Sequence, residues 1–115
     1  MRNKIIYNHY CPDYESLNEV EKPLGGKDDK NKLKISLVPP QIVKDIAEVR
    51  MFGTKKYKDP NNWKDIDVQR YFDALLRHIL AMMESLSSID DESQIPHYKH
   101  AACNLAFICE KLHCK

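Results

Sequence analysis

The 115-residue chain predicts an all-α fold: a small bundle of three main helices, the last two an antiparallel pair, preceded by an irregular arm. Three observations carry this reading. Apolar residues recur every three to four positions in three separate stretches, the period of a helix with one buried face. The last two stretches are joined by a short polar link, which folds them back on each other. Prolines and glycines otherwise collect before residue 41, where no helical period is sustained.

Residues 1–38 form the arm, with Pro12, Pro23, Gly25 and Gly26 followed by the polar run Lys27 to Lys32. Leu33, Ile35 and Leu37 alternate with Lys34 and Ser36, which suits a short extended piece lying against a core. The helical domain is expected over 39–115. Pro39 and Pro40 are tolerated at a helix start, Ile42, Ile46 and Val49 follow at helical spacing, and Gly53 is read as the stop. Phe52 to Trp63 then reads as a loop by its glycine, proline and asparagines, although it holds the only tryptophan and several lysines. Asp67 is placed to cap a second helix whose stripe is Val68, Phe72, Leu75, Ile79, Met82 and Leu86. After the link Ser87 to Gln94, Pro96 opens a third helix with Ala101, Leu105, Ile108 and Leu112 as its core stripe.

Composition narrows the function. Hydrophobic residues at 43% and charged residues at 30% suit one soluble domain. A net charge of +1 provides no field for bulk nucleic acid or an anionic membrane, while local cations still suit a phosphate ligand. No run is long and apolar enough for a membrane span, and Met1 to Tyr10 lacks the apolar centre of a signal peptide, so a cytoplasmic protein is expected. Cys11, Cys103, Cys109 and Cys114 have no CxxC spacing and are read as reduced thiols. Cys109, His113 and Cys114 offer a weaker alternative, a zinc site at the end of the chain.

The chemistry-bearing residues concentrate near the third helix. On a helix, His97, His100 and Asn104 fall within roughly 60° of one another, an unusual polar cluster beside an apolar stripe. His78 sits on the second helix between the small residues Ala74 and Ala81, and an antiparallel pairing turns it toward that face. Two readings fit: a hydrogen-bonded histidine network that fixes the helix pair or touches ligand, or a metal site with His78, His97, His100 and Asp91 as ligands. Among carboxylates, Asp45 and Glu48 are read as a solvated helix face, while the Asp90–Glu92 cluster suits either solvent or a hard cation. Lys32, Lys55, Lys56, Arg70 and Arg77 are the candidate phosphate ligands, with Tyr57 and Trp63 as rings for a base and Asn62 and Asn104 as further nucleotide-binding candidates. There is no Walker loop, dinucleotide-binding glycine motif or Ser-His-Asp order.

Several separated blocks then carry a resemblance: Lys27-Asp28-Asp29 with Lys32, Leu37-Val38-Pro39-Pro40, Phe52 to Tyr57, Asn62-Trp63, Arg70 to His78, and Pro96-His97 with His100 and Asn104. In this order they resemble the phage-associated dATP/dGTP diphosphohydrolase N-terminal domain family, linked to MazG-like all-α nucleoside triphosphate pyrophosphohydrolases. The resemblance implies cleavage of purine (deoxy)nucleoside triphosphates to monophosphate and pyrophosphate with a divalent metal, Mg²⁺ or Mn²⁺, in an oligomer of at least two chains. For a phage-encoded chain it also implies the bacterial host cytoplasm. MazG-type enzymes are typified by an ExxE pair followed by an ExxD pair; here Asp45-Ile46-Ala47-Glu48 stands in the first place and no clean ExxD follows. That departure keeps open a second function, non-catalytic sequestration of a nucleotide signal of host defence.

Overall fold

Pro40 does open a helix, and the helix it opens is longer than its glycine suggested. The computed structural model describes residues 26–113. They contain α1 (Gln41–Tyr57), α2 (Val68–Glu84) and α3 (His97–Leu112), with 3-10 turns at Ile35–Leu37 and Asn62–Asp65. No strand occurs among the described residues, only an isolated bridge between Ile89 and Pro96. The readings placed on residues 1–25, Cys11 among them, and on Cys114 lie outside the described residues.

The segment before Pro40 belongs to a separate unit of the chain. Leu33, Ile35 and Leu37 do not form an extended piece there. The backbone closes into a 3-10 turn through Leu37 N–H to Lys34 O and Val38 N–H to Ile35 O, and all three side chains are exposed.

In the helical unit, α1 runs through Gly53 and stops at Lys58. Gly53 has ordinary helical geometry, whereas Lys58 adopts the left-handed conformation at φ 69° and donates its N–H to Thr54 O. Lys55 and Lys56 in the last turn favour this extension, because cations are stabilised beside the unpaired carbonyls of a helix C-terminus. The first half of the expected loop, Phe52 to Tyr57, is therefore helix. Asp67 sits at the N-cap of α2 with extended backbone, but its side chain makes no capping bond.

Ring contacts fix the packing direction. Tyr71, early in α2, lies 4.7 Å from Phe107, late in α3, while His78 lies 5.0 Å from His97. The last two helices are thus antiparallel. α1 runs alongside α3 in the same direction, since Asp45 and Glu48 meet Lys99 while Arg50 covers Phe107. The core comprises Val49, Ile95 and Cys103 with Ile46, Phe52 and Phe107 against them, beside buried Tyr71 and Leu75.

The helices are rotated relative to the expected stripes. On α2 the inner face is Tyr71, Leu75, His78 and Met82, while Phe72 and Ile79 are 45% and 38% exposed. On α3 the inner face carries His100, Cys103 and Phe107, while Leu105 and Leu112 are about half exposed. Both helices have apolar residues on two faces, and periodicity alone favoured the more aliphatic one. The polar face of α3 consequently looks inward.

Candidate functional site

A cavity of about 670 Å³ opens in the helical unit, lined by residues of all three helices and the turn between α1 and α2. Its cationic side is Arg50 and Lys56 from α1 with Arg70 and Arg77 from α2. Its aromatic side is Tyr57, Trp63, Tyr71 and Phe107. His78, Asp90, His100 and Asn104 also line it, as do the carboxylates Asp59 and Glu92.

The turn between α1 and α2 is tied down by hydrogen bonds. Arg50 donates to Pro60 O, Tyr71 Oη donates to Trp63 O at 2.9 Å, and Lys111 Nζ donates to Lys64 O at 2.8 Å. Trp63 then stacks on Phe107 with centroids 5.2 Å apart. The guanidinium of Arg50 lies 5.3 Å from the other partner of that pair, Phe107, in a cation–π contact. Arg50 escaped the sequence reading because it follows the apolar Val49 inside a helix. Its charge, one turn before Lys55 and Lys56, was the available signal.

The connection between α2 and α3 is an ordered loop. Asp90 N–H donates to Ile95 O at 3.0 Å and His97 N–H to Ser88 O at 2.9 Å, while buried Ile95 anchors it in the core. Asp90 accepts from both the N–H and the hydroxyl of Ser93, each at 2.9 Å. Ser93 Oγ in turn lies 2.6 Å from His100 Nε2 and accepts from Ile95 N–H. One assignment is consistent with all of these bonds: Ser93 donates to Asp90, His100 donates from Nε2, and the His100 Nδ1 lone pair is left as an acceptor.

His78 stacks on His100 with centroids 4.7 Å apart and planes within 8°. Its Nδ1 lies 2.7 Å from Nδ1 of His97, so one ring donates to the other. Burial, with the neighbouring His100 and His97 rings, pushes His78 down to about 4. Burial likewise lowers His100, outweighing the pull of Asp90. Burial works to raise Asp90, but the Ser93 hydrogen bonds and the His100 and His78 rings hold it below the usual carboxylate range. At neutral pH His78 and His100 are therefore neutral imidazoles beside a carboxylate.

The candidate residues sort clearly. Lys56, Tyr57, Asn62, Trp63, Arg70, Arg77 and Asn104 line the cavity with His78 and His100; His97 touches His78 from behind. Lys55 is exposed on the last turn of α1 and does not line it, and Lys32 is exposed in the separate unit before Pro40. Lys56 is held by Glu92. Asp91, expected among the metal ligands, is exposed; its neighbour Asp90 occupies that place, because the loop bonds turn Asp90 inward. The group of residues able to hold an ion is His78, Asp90 and His97, whose donor atoms lie within 4.8 Å of one another. His100 is engaged with Ser93.

Of the expected solvated pair, Glu48 is exposed and Asp45 is not. Asp45 is buried, accepts from Gln41 at 3.0 Å and lies 3.5 Å from Lys99 Nζ, which also bonds Glu48 at 2.8 Å. Lys99 thus already engages both carboxylates. Cys103 and Cys109 are free thiols, as expected.

Together the fold and the site define an all-α domain with a cationic and aromatic pocket beside an imidazole–carboxylate cluster. The chain belongs to the family described as dATP/dGTP diphosphohydrolase, N-terminal, whose model matches residues 22–115. It is similar to a dATP/dGTP diphosphohydrolase of Salmonella phage PMBT28, 37% identical over 84 residues that cover 73% of this chain. Those residues make up 28% of the phage protein, so the chain spans less than a third of that relative's length. No solved structure matches.

Proposed function

We propose that the pocket binds a purine (deoxy)nucleoside triphosphate, and that the chain acts as a MazG-like pyrophosphohydrolase releasing monophosphate and pyrophosphate. The observation that carries this reading is the convergence of Arg50, Lys56, Arg70 and Arg77 with Tyr57 and Trp63 around one cavity. Its volume lies within the range of roughly 300–1,000 Å³ usual for small-molecule sites. Family membership and the name of the phage relative support the same substrate class.

The arginines supply bidentate forks for phosphate oxygens and offset the charge that develops on leaving pyrophosphate. Tyr57, 57% exposed at the rim, offers an open ring face for a base. Asn104 donates to His100 O at 3.0 Å, which holds its side chain against the pocket wall. His78 is too weak a base near 4 to take a proton from water efficiently at neutral pH, so proton removal is not assigned to it.

One observation favours a second reading, sequestration without hydrolysis. The Asp45 and Glu48 pair, which stands in the first MazG-like position, is bound to Lys99. The two readings separate when purified chain is incubated with each deoxynucleoside triphosphate and Mg²⁺ or Mn²⁺. Pyrophosphate release is followed, and ligand is recovered after denaturation. Purine-selective pyrophosphate release is expected; stoichiometric recovery of intact ligand would replace hydrolysis with sequestration, and no binding at all would sink both. Arg77→Ala should weaken binding or turnover by about tenfold or more, the loss of one charge-assisted contact.

A further inference from the structure

We propose that His78, Asp90 and His97 bind a divalent transition-metal ion of the Zn²⁺ or Co²⁺ class beside the pocket. Three observations of different kinds point there.

The first is convergence. His78 comes from the inner face of α2, His97 is the first residue of α3 and Asp90 comes from the loop between them, yet one donor atom from each lies within 4.8 Å of the others. The two Nδ1 atoms are 2.7 Å apart. Two Zn–N bonds of about 2.0–2.1 Å at a tetrahedral angle place their nitrogens roughly 3.3 Å apart. Small rotations of the two rings would open that much room.

The second is support around the ligands. The loop is pinned on both sides of Asp90 by backbone bonds and by Ile95, so the carboxylate does not have to be recruited from solvent. Ser93 fixes the Asp90 carboxylate by two bonds, and His100 holds the plane of His78 by stacking. Hydrogen bonding to ligating carboxylates and fixed ring planes are the usual outer supports of metal sites. His78 and Asp90 also line the cavity, which leaves an open side for a ligand oxygen.

The third is donor chemistry. Two imidazoles with one carboxylate suit borderline ions, whereas Mg²⁺ and Ca²⁺ select all-oxygen sets. This site is separate in kind and place from the carboxylate pair closed by Lys99. It goes beyond the nucleotide reading and does not depend on it.

Cobalt alone tests the site. Titrating the full chain with Co²⁺ in the absence of nucleotide should give visible d–d absorption that saturates near one equivalent. Zn²⁺ should displace the cobalt, and excess Mg²⁺ should not. Asp90→Asn and His97→Gln should each weaken cobalt binding by about tenfold or more, while Asp91→Asn, on the exposed side of the loop, keeps it within a few-fold; circular dichroism confirms that each variant folds. Absence of the band, or binding unchanged in both Asp90→Asn and His97→Gln, would overturn the proposal. A chain that binds cobalt this way yet leaves every deoxynucleoside triphosphate intact would retain the metal site and lose the hydrolase reading.

Discussion

Single residues in this domain show burial and charge working against each other. Lys99 joins α3 to α1 by reaching both Asp45 and Glu48, and Asp45 is buried. Removing the ammonium strands a carboxylate away from water, which costs more than the ion pair contributes. Lys99→Met is expected to lower the thermal midpoint clearly, and Asp45→Asn in the same background should recover most of the loss; calorimetry on the four proteins of that cycle checks it. Cys103 offers a titration of known sign. Burial raises its thiol to about 11, above the ordinary value of 9.0. The unfolded chain therefore releases this proton first, and stability is complete below pH 9 and falls as pH rises toward 11. Two pH units correspond to about 3 kcal/mol at most. Unfolding curves between pH 8 and 11 should show a shallower alkaline decline for Cys103→Ala than for the parent.

Elements tell a different story, because local signals conflict at their ends. Gly53 inside α1 has ordinary helical geometry, and an added Cβ would meet only Arg50 Nη1, at 3.9 Å. Gly53→Ala should thus stabilise by about 0.5–1 kcal/mol through helix propensity and a less free unfolded chain. Lys58 carries the left-handed cap that glycine adopts without strain, so Lys58→Gly should add a similar increment. Chemical denaturation of both variants measures this, and a loss of stability in either would mean the helix end is misread. The same two residues explain what the sequence hid. Gly53 and Pro60 suggested a long loop, but the cation-rich turn Lys55-Lys56 continues the helix to the residue that can turn left. Helix number, order and antiparallel pairing were legible because period and link length report them directly. The inward faces were not, since α2 and α3 carry apolar residues on two sides and only packing chooses between them. His78, His97, His100 and Asn104 were found because polar residues at helical spacing stand out in an apolar segment. Asp90 was confused with Asp91 because loop hydrogen bonds, not periodicity, decide which of two neighbours faces inward. Arg50 was missed for lack of any local contrast.

At the scale of the whole molecule, the helical unit leaves much apolar surface uncovered. Phe72, Leu76, Ile79, Leu80 and Met83 form a stripe along α2 that is 38–75% exposed, and no side chain among the described residues is fully enclosed. A charge-free stripe repeating at helical intervals matches its own copy, as a twofold interface requires. We propose that a second copy covers it, in keeping with the oligomer expected for such a small core. Analytical ultracentrifugation should find a dimer at micromolar concentration, and Leu80→Glu with Met83→Glu should yield monomers. A monomeric parent chain would overturn this assembly. No described helix is long and apolar enough to cross a membrane.

Trp63 is the only tryptophan of the chain, and it stands in the pocket wall, stacked on Phe107. The domain thus carries its own optical reporter at one defined place. Its emission reads the register of the turn against α3 without any label, and a purine bound as proposed would stand beside the indole. Occupancy and unfolding can then be followed in the same cuvette, each through the same ring.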